Sequence, residues 1–282
     1  MSNNYLSIYA KSFNWAGFFL PKNIYEKSST LYDFCRTLDD IADKNSSLDF
    51  KIEQFNQFKN DFKNKNYNNL IIKKIHSLMQ EVNISSAVVY DLFDGVESDL
   101  REKLKINTVK ELLIYSYRVA GTVGLMMAKI LNVNSYNSLK AAIDLGIAMQ
   151  LTNIARDVVE DNKRNRQYIN SDFNTITQTL KIAELFYNSS FASIREIPLK
   201  SRFAILVARR IYREIGNQII KKKNIENYKS SGKIYVSNIG KIYQTFLSFF
   251  DLIKLFFITN NEHLRKTEHG IINEEIDLNE RI

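Results

Sequence analysis

Two aspartate pairs with the spacing D-x-x-x-D are the residues of this chain best suited to bind a cation. Asp39 and Asp43 lie in the segment LYDFCRTLDDIAD, and Asp157 and Asp161 lie in QLTNIARDVVED. In a helix, residues four apart share one face, where two like charges destabilise the helix. A bound cation removes that repulsion, and Mg²⁺ is usually held by carboxylates together with substrate phosphates. The sequence therefore predicts two halves of one site for a metal and a diphosphate.

The second pair ends a polar stripe on a mostly apolar segment. Four residues recur there at spacings of three, four and four, within an arc of roughly 80° on a helix: Gln150, Asn153, Asp157 and Asp161. Buried carboxylates without partners are costly. A salt bridge to Arg156 or Lys163 is one way to satisfy them. A second acidic pair on another helix, with Arg36 close by, favours the metal.

Hydrophobic periodicity predicts that helices position these residues. The chain has 282 residues with only 2 prolines and 9 glycines, too little turn chemistry for an all-β sandwich. We expect one all-α domain over residues 1–260 and a polar, loosely ordered tail over 261–282. The main predicted helices cover residues 22–43, 45–67, 85–100, 109–131, 138–161, 176–194 and 201–223.

Composition excludes several classes of protein. The formal net charge of +8 favours an anionic partner, but no long basic block with interleaved aromatic residues indicates nucleic acid. Cys35 is the only cysteine, so no disulfide forms within one chain. The three histidines, His76, His263 and His269, are scattered, and no imidazole metal site is expected. We find no secretory signal and no apolar run long enough to span a bilayer, and we expect a cytoplasmic protein.

Four segments together resemble the squalene/phytoene synthases, the head-to-head prenyl transferases. In chain order over about residues 9–245 they are SF…LP…LYDFCRTLDDIAD, YSYRVAGTVGLMMAKIL, LGIAMQLTNIARDVVED and ARRIYREIG. The last three are most similar to bacterial phytoene synthases. The resemblance implies an all-α, single-domain isoprenoid-synthase fold, in which a helical bundle surrounds a central cavity.

The resemblance also implies roles for individual residues. The expected catalytic metal ligands are Asp39, Asp43, Asp157 and Asp161. The residues expected to hold diphosphate are Arg36, Gln150, Asn153 and Arg156. The residues expected to line the mouth or the cavity are Lys11, Ser12, Tyr32, Tyr117, Tyr168 and Tyr212. Since the chain has 15 tyrosines, each tyrosine taken alone is equally typical of an ordinary core or rim residue.

The reaction implied by the resemblance joins two geranylgeranyl diphosphates through a cyclopropyl diphosphate intermediate to give phytoene, in carotenoid biosynthesis. Mg²⁺ is the expected ion, with Mn²⁺ as the alternative, and no NADPH is expected. The main alternative is a squalene or diapophytoene type of synthase that uses farnesyl diphosphate. A non-catalytic assembly factor is a further alternative, although such relatives typically lose the aspartates. The sequence makes no prediction of the oligomeric state.

Two segments depart from the family pattern. After the second aspartate pair, the usual G-R-x-Y-L-P is replaced by NRQYIN, which keeps Arg166 and Tyr168. Residues 226–237 read ENYKSSGKIYVS, without the usual tryptophan and paired arginines. Lys229 or Lys233 would supply the positive charge there, but not the bidentate fork of arginine.

The segment IYQTFLSFFDLIKLFFI, residues 242–258, combines apolar residues near helical spacing with a polar opposite side. It is too short and too charged to span a bilayer. One interpretation is an amphipathic helix that lies in the headgroup region of an anionic membrane, where a hydrocarbon product would be delivered. The other interpretation is the last helix of the core.

Overall fold

Helices joined by short loops make up nearly all of the computed structural model, which describes residues 15–258 and 262–282. The helices are α1 Lys22–Asp43, α2 Leu48–Lys63, α3 Leu70–Val82, α4 Ser86–Ser98, α5 Val109–Ser116, α6 Thr122–Ile130, α7 Tyr136–Lys163, α8 Phe173–Phe191, α9 Leu199–Ile220, α10 Ile225–Ser230, α11 Asn238–Phe257, α12 Lys266–Asn273 and α13 Leu278–Arg281. Two short strands, β1 Leu104–Lys105 and β2 Arg166–Gln167, pair in parallel. The predicted all-α fold is confirmed.

Side-chain caps explain where several helices begin. Thr108 and Glu111 form a capping box at the start of α5, in which each side chain binds the backbone of the other residue. Asp172 accepts a hydrogen bond from the Thr175 amide at 2.8 Å and starts α8. Ser237 does the same for α11 through the Gly240 amide. Such caps satisfy amide groups that have no partner within the helix.

Helix α7 runs through the centre of the bundle and packs against α6, α8 and α9. Its approach to the segment between α5 and α6 is unusually close. That segment, Tyr117–Gly121, forms one π-helical turn. A Cβ atom added at Gly146 would lie 2.2 Å from the carbonyl oxygen of Ala120, and one added at Gly124 would lie 2.2 Å from that of Ala142. Glycine is therefore required where these two backbones meet.

The expectation of a loosely ordered tail is wrong for residues 262–282. Helix α12 packs against α5, and His263 and His269 are buried. Both histidines contact the buried carboxylate of Asp144 on α7, with nitrogen–oxygen distances of 3.1 and 2.6 Å. Ser189 donates a third hydrogen bond to Asp144 at 2.7 Å. These are distances of direct hydrogen bonds, which fasten the tail to the central helix.

A second contact fastens the tail to α4. Arg281 donates to the buried carboxylate of Asp91 at 2.8 Å. The proposed boundary near residue 260 stays a prediction.

Helix α11 turns its apolar face outward. Nine of its apolar or aromatic side chains are more than half exposed: Ile239, Ile242, Tyr243, Phe246, Phe249, Phe250, Ile253, Phe256 and Phe257. Its polar face packs inward, where Gln244 and Ser248 are buried and Asp251 forms a bidentate pair with Arg210 at 2.6 and 2.8 Å. Most of the apolar side chains of residues 242–258 are therefore not part of the core, although Leu255 of the same helix is fully buried in it. No described helix is long and apolar enough to cross a membrane.

Candidate functional site

A cavity of about 320 Å³ lies between α1, α6, α7 and α9. Most of its wall is apolar, with Leu31, Met127, Leu145 and Ala208 among the lining residues. The carboxylate and the two amide side chains that line the wall lie at one end, where Asp39, Gln150 and Asn153 are found. An apolar chamber with a polar end suits a ligand that has a long hydrocarbon part and a charged head.

The lining residues on two helices give the length of this cavity. On α1 they run from Tyr25 to Asp39, and on α7 from Ser138 to Asn153. At 1.5 Å per residue these stretches measure about 21 Å and about 22 Å. The wall of the cavity therefore runs roughly 20 Å along these two helices.

In the first aspartate pair one carboxylate forms two ion pairs, and the other forms none with the described residues. Asp43 contacts Arg164 and Arg166, each at 2.7 Å. Asp39 faces the cavity, where solvent reaches its side chain although protein surrounds it. Burial raises the pKa of Asp39 to about 7, and the charge of Asp43 adds to this effect.

The second pair also contains one ion-paired carboxylate, Asp157, and one carboxyl with a raised pKa, Asp161. Arg156 forms a bidentate pair with Asp157, with distances of 2.9 and 2.6 Å, and Lys233 lies 3.4 Å from the same carboxylate. Burial raises the pKa of Asp161 to about 7, and the charge of Asp157 contributes. Of the two lysines expected to supply positive charge from residues 226–237, Lys233 is the one that contacts this pair. It also contacts Glu160 at 2.8 Å.

A fifth carboxylate, which the sequence did not single out, lies between the two pairs. Asp99 accepts hydrogen bonds from Tyr168 at 2.7 Å and from Tyr115 at 2.9 Å. Burial raises its pKa against the opposing effect of Arg166. The charge of Asp99 in turn raises the pKa of both Asp39 and Asp161. No repeated spacing marks this residue, and for that reason the sequence analysis missed it.

These groups fit a divalent cation of the magnesium type. All the donors are oxygens, as that ion prefers. The Oδ1 atom of Asn153 is buried and has no hydrogen-bond partner among the described residues. Three carboxylates with raised pKa and one orphaned amide oxygen leave a local excess of acceptors, which a cation would satisfy.

Five of the remaining predicted residues fall into three groups. Tyr32 and Tyr212 line the cavity, and burial raises the pKa of each to about 12. Arg36 lies on the same helix as Asp39 and pairs with Asp40 at 2.6 Å. Lys11 and Ser12 fall outside the described residues.

Two predicted tyrosines lie away from the cavity wall. Tyr117 is fully buried and donates to Asp91 at 3.0 Å. Its side chain therefore supports the π-helical turn and contacts a different carboxylate. Tyr168 borders a narrow cleft with Asp161 and Arg166, where its hydroxyl orients Asp99. Stacking on Tyr115 holds its ring in place.

Comparison with known proteins agrees with this geometry. The sequence profile of the family described as squalene/phytoene synthase matches residues 7–175, more than half of the chain. The chain belongs to the squalene/phytoene synthase family. Members of this family are prenyltransferases that bind prenyl diphosphates with a divalent metal, and the protein is a prenyltransferase of this kind.

Phytoene synthases are among the most similar relatives. A 15-cis-phytoene synthase of Paracoccus sp. is 30% identical over 262 residues, which cover 83% of this chain and 84% of the relative. A 15-cis-phytoene synthase of Pantoea ananas is 29% identical over 76% of this chain and 80% of its own.

Solved structures share the fold. A dehydrosqualene synthase crystallised with a ligand superposes with a TM-score of 0.76 at 26% identity, over 89% of this chain and 94% of its own. A squalene synthase from Alicyclobacillus acidocaldarius superposes with a TM-score of 0.67 at 14% identity, over 79% of this chain and 91% of its own. The helical bundle around a central cavity is thus the isoprenoid-synthase fold of this family.

Proposed function

We propose that the protein condenses two molecules of geranylgeranyl diphosphate head to head into phytoene, as a step of carotenoid biosynthesis. The observation that carries this proposal is the length of the apolar cavity behind the aspartates. An extended C20 prenyl chain has a main chain of about 15 bonds and measures roughly 18 Å, whereas a C15 chain measures roughly 13 Å. The cavity length of roughly 20 Å suits the longer chain.

The aspartates and their neighbours would hold the diphosphate head. Mg²⁺, or Mn²⁺ in its place, would neutralise the leaving diphosphate as the carbon–oxygen bond breaks. Its proposed ligands are Asp39, Asp43, Asp157 and Asp161. Gln150 and Asn153 point polar groups at the same end of the cavity. Arg36 and Arg156, now paired with Asp40 and Asp157, would exchange those partners for phosphate oxygens.

The apolar wall protects the carbocations of the reaction from water. Tyr32 and Tyr212 stay uncharged near neutral pH, because burial raises their pKa to about 12. They therefore face a developing allylic cation as neutral aromatic rings, which stabilise positive charge through their π-faces.

The reaction balances without a reductant. The first substrate loses diphosphate, and its allylic cation is attacked by the double bond of the second substrate. Loss of one proton then closes the three-membered ring and gives a cyclopropyl diphosphate. A second loss of diphosphate, rearrangement and loss of a second proton give the C40 hydrocarbon. Two substrates thus yield phytoene, two diphosphates and two protons, and no hydride from NADPH is needed.

A second candidate is the corresponding condensation of two farnesyl diphosphates. The similarity to a dehydrosqualene synthase, with 26% identity over 89% of the chain, favours this alternative. The test is purified protein with Mg²⁺ and each diphosphate in turn, with and without NADPH, followed by analysis of the lipid extract. We expect a C40 hydrocarbon from the C20 substrate without NADPH. A product formed only from farnesyl diphosphate would overturn the proposal.

We further propose that the protein works on the inner face of a membrane. The exposed apolar face of α11 supports this, because such a face can lie among lipid headgroups. Basic residues border it, with Arg195 exposed beside its C-terminal end and Lys254 on the helix itself. Co-sedimentation with anionic vesicles at low salt tests this, and protein that stays in the supernatant would contradict it.

A further inference from the structure

A thin wall separates the cavity from the exposed face of α11. It consists of residues 15–20, which we call the exit turn. On one side of this turn, Ala16, Gly17 and Leu20 line the cavity. On its other side, Trp15 donates from its indole nitrogen to Thr245 of α11 at 3.0 Å. The cavity and α11 are thus one helical turn apart.

Three aromatic rings in contact continue this path to the surface. The ring of Phe19 contacts that of Phe203 on α9, with centroids 5.2 Å apart. The ring of Phe203 contacts that of Phe249 on α11, with centroids 4.5 Å apart. Phe249 is 52% exposed on the outer apolar face. The neighbours of Phe203 in sequence, Ala204 and Ile205, line the cavity, so the path is apolar from the chamber to the outside.

Among the described residues, two backbone hydrogen bonds of its own shape the exit turn. Its own hydrogen bonds join the amide of Phe19 to the carbonyl of Ala16 at 3.1 Å, and that of Leu20 to Gly17 at 3.0 Å. Pro21 follows and lacks an amide hydrogen, so the helical hydrogen bonds of α1 do not continue back into the turn. The turn can therefore move without unwinding α1, which carries Asp39.

We propose that the hydrocarbon product leaves the cavity sideways, between the exit turn and α9, directly into a bilayer on which α11 lies. This inference rests on the proposed function, because it needs a product without a polar head. Once both diphosphates have left, such a product has no group that would bind to the polar end of the cavity. The apolar route through Phe19 and Phe203 spares it contact with water.

The charges beside this surface identify the occupant as a bilayer with anionic lipid. Arg195 and Arg202 donate to backbone carbonyls, Arg195 to that of Ile258 directly after α11. Lys254 lies over the ring of Phe191 at 5.5 Å, at the edge of the exposed face. The basic side chains around the apolar face would contact the anionic headgroups of the membrane, and the apolar face would contact the acyl chains beneath them.

The first experiment uses Trp15, the only tryptophan of the chain, as a reporter of the exit turn. Anionic vesicles with brominated acyl chains quench a tryptophan that lies near them. We expect strong quenching of the wild type and loss of quenching in Phe249→Ser/Phe256→Ser. The matched control is Leu70→Ser/Val109→Ser, which changes two exposed apolar residues on α3 and α5 and should leave quenching intact.

Several outcomes of this experiment would overturn the proposal. They are an unquenched wild type, quenching that survives in the Phe249→Ser/Phe256→Ser variant, and a wild type that pairs with a second copy through α11 and thereby shields Trp15. Circular dichroism and melting temperature confirm that each variant is folded. Because quenching needs no substrate, it reports on the exit route even if the proposed reaction is wrong.

The second experiment separates chemistry from release. We expect the first turnover, followed as diphosphate release, to be the same with and without anionic vesicles. Later turnovers should be several-fold faster with vesicles, and Phe249→Ser/Phe256→Ser should abolish that acceleration while its first turnover is unchanged. Equal steady-state rates with and without vesicles, or acceleration that persists in the variant, would overturn the exit route. A wild type with no first turnover would instead refute the proposed function.

Discussion

The guanidinium of Arg166 lies 2.7 Å from the carboxylate of Asp43, although 123 positions separate the two residues in the chain. Arg166 also borders the cleft that contains Asp161, and its charge lowers the pKa of both Asp161 and Asp99 against the effect of burial. One cation thus stands between the two aspartate pairs. Without a bound metal, this arginine offsets part of the repulsion among the carboxylates.

The unpaired aspartate of the first pair should matter for function and not for folding. We expect Asp39→Asn to lower turnover by orders of magnitude, because a proposed metal ligand is lost. Its melting temperature should stay the same or rise, because the raised pKa of Asp39, about 7, shows that its charge is unfavourable there. Steady-state kinetics and thermal unfolding measure the two effects.

The control for this prediction is Asp49→Asn, at the exposed start of α2, which should leave turnover unchanged. Asp157→Asn should also lose turnover, with a small loss of stability from its pairs with Arg156 and Lys233. Near-normal turnover of Asp39→Asn with Mg²⁺ would show that the metal assignment is wrong.

The stability of the ligand-free protein should depend on pH through Asp39 and Asp161. Each carboxyl has a pKa of about 7 when folded, against 3.8 when unperturbed. The folded state therefore binds these protons more tightly. Each group contributes stability that is fully present below about pH 4 and is lost as the pH rises through about 7.

Melting temperatures measured from about pH 5 to about pH 8 test this expectation. The wild type should lose more stability over that range than Asp39→Asn/Asp161→Asn, in which the amides imitate the protonated acids. Mg²⁺ with inorganic diphosphate should restore the wild type at the upper end of the range and affect the double variant much less. Parallel pH profiles for the two proteins would contradict the raised pKa values.

The buried contact between the tail and α7 should be a major source of stability. Burial alone raises the pKa of Asp144, but hydrogen bonds from His263 and His269 outweigh it and hold that pKa below its usual value. We expect His269→Ala to lower the free energy of unfolding by roughly 2–4 kcal/mol, because it leaves a buried carboxylate with fewer donors. Urea unfolding measures this. Lys266→Ala, which removes an exposed pair with Glu262, is the control and should cost less than about 1 kcal/mol.

The close approach of α7 to the π-helical turn predicts opposite effects for two glycine substitutions. Gly146→Ala should destabilise the protein by about 2 kcal/mol or more, because the added Cβ would lie 2.2 Å from the Ala120 carbonyl and force the backbones apart. Gly270→Ala, on α12, meets no atom within 4 Å and should stabilise by about 0.5–1 kcal/mol. Equal effects of the two substitutions in urea unfolding would contradict the described contact.

Periodicity predicted the long helices well, because their boundaries follow caps and apolar stripes that the sequence displays locally. The predicted helix at 138–161 is Tyr136–Lys163, and that at 201–223 is Leu199–Ile220. The order of the tail could not be predicted in this way. It depends on Asp144, which lies 119 and 125 positions from its two histidine partners, and the tail segment alone is polar.

In the candidate site, too, features with a local sequence pattern were predicted and those that depend on distant partners were not. The aspartate pairs were found because like charges at helical spacing on apolar helices need an explanation. Asp99 was missed because a single carboxylate at the end of α4 is typical of a solvated helix end. Tyr117 was predicted to line the cavity, but it does not. A tyrosine within an apolar segment can pack in several directions, and this one donates a hydrogen bond to Asp91.

The outward apolar face of α11 also sets a limit on how much of this protein a cell can use. Nine large side chains exposed on one helix bind to any apolar surface within reach, including the same face of another copy. If the protein lies on a membrane as proposed, copies in excess of the available lipid would have only one another to bind and would aggregate. Overproduction would then add precipitate and no activity, so the quantity of active enzyme would scale with membrane area.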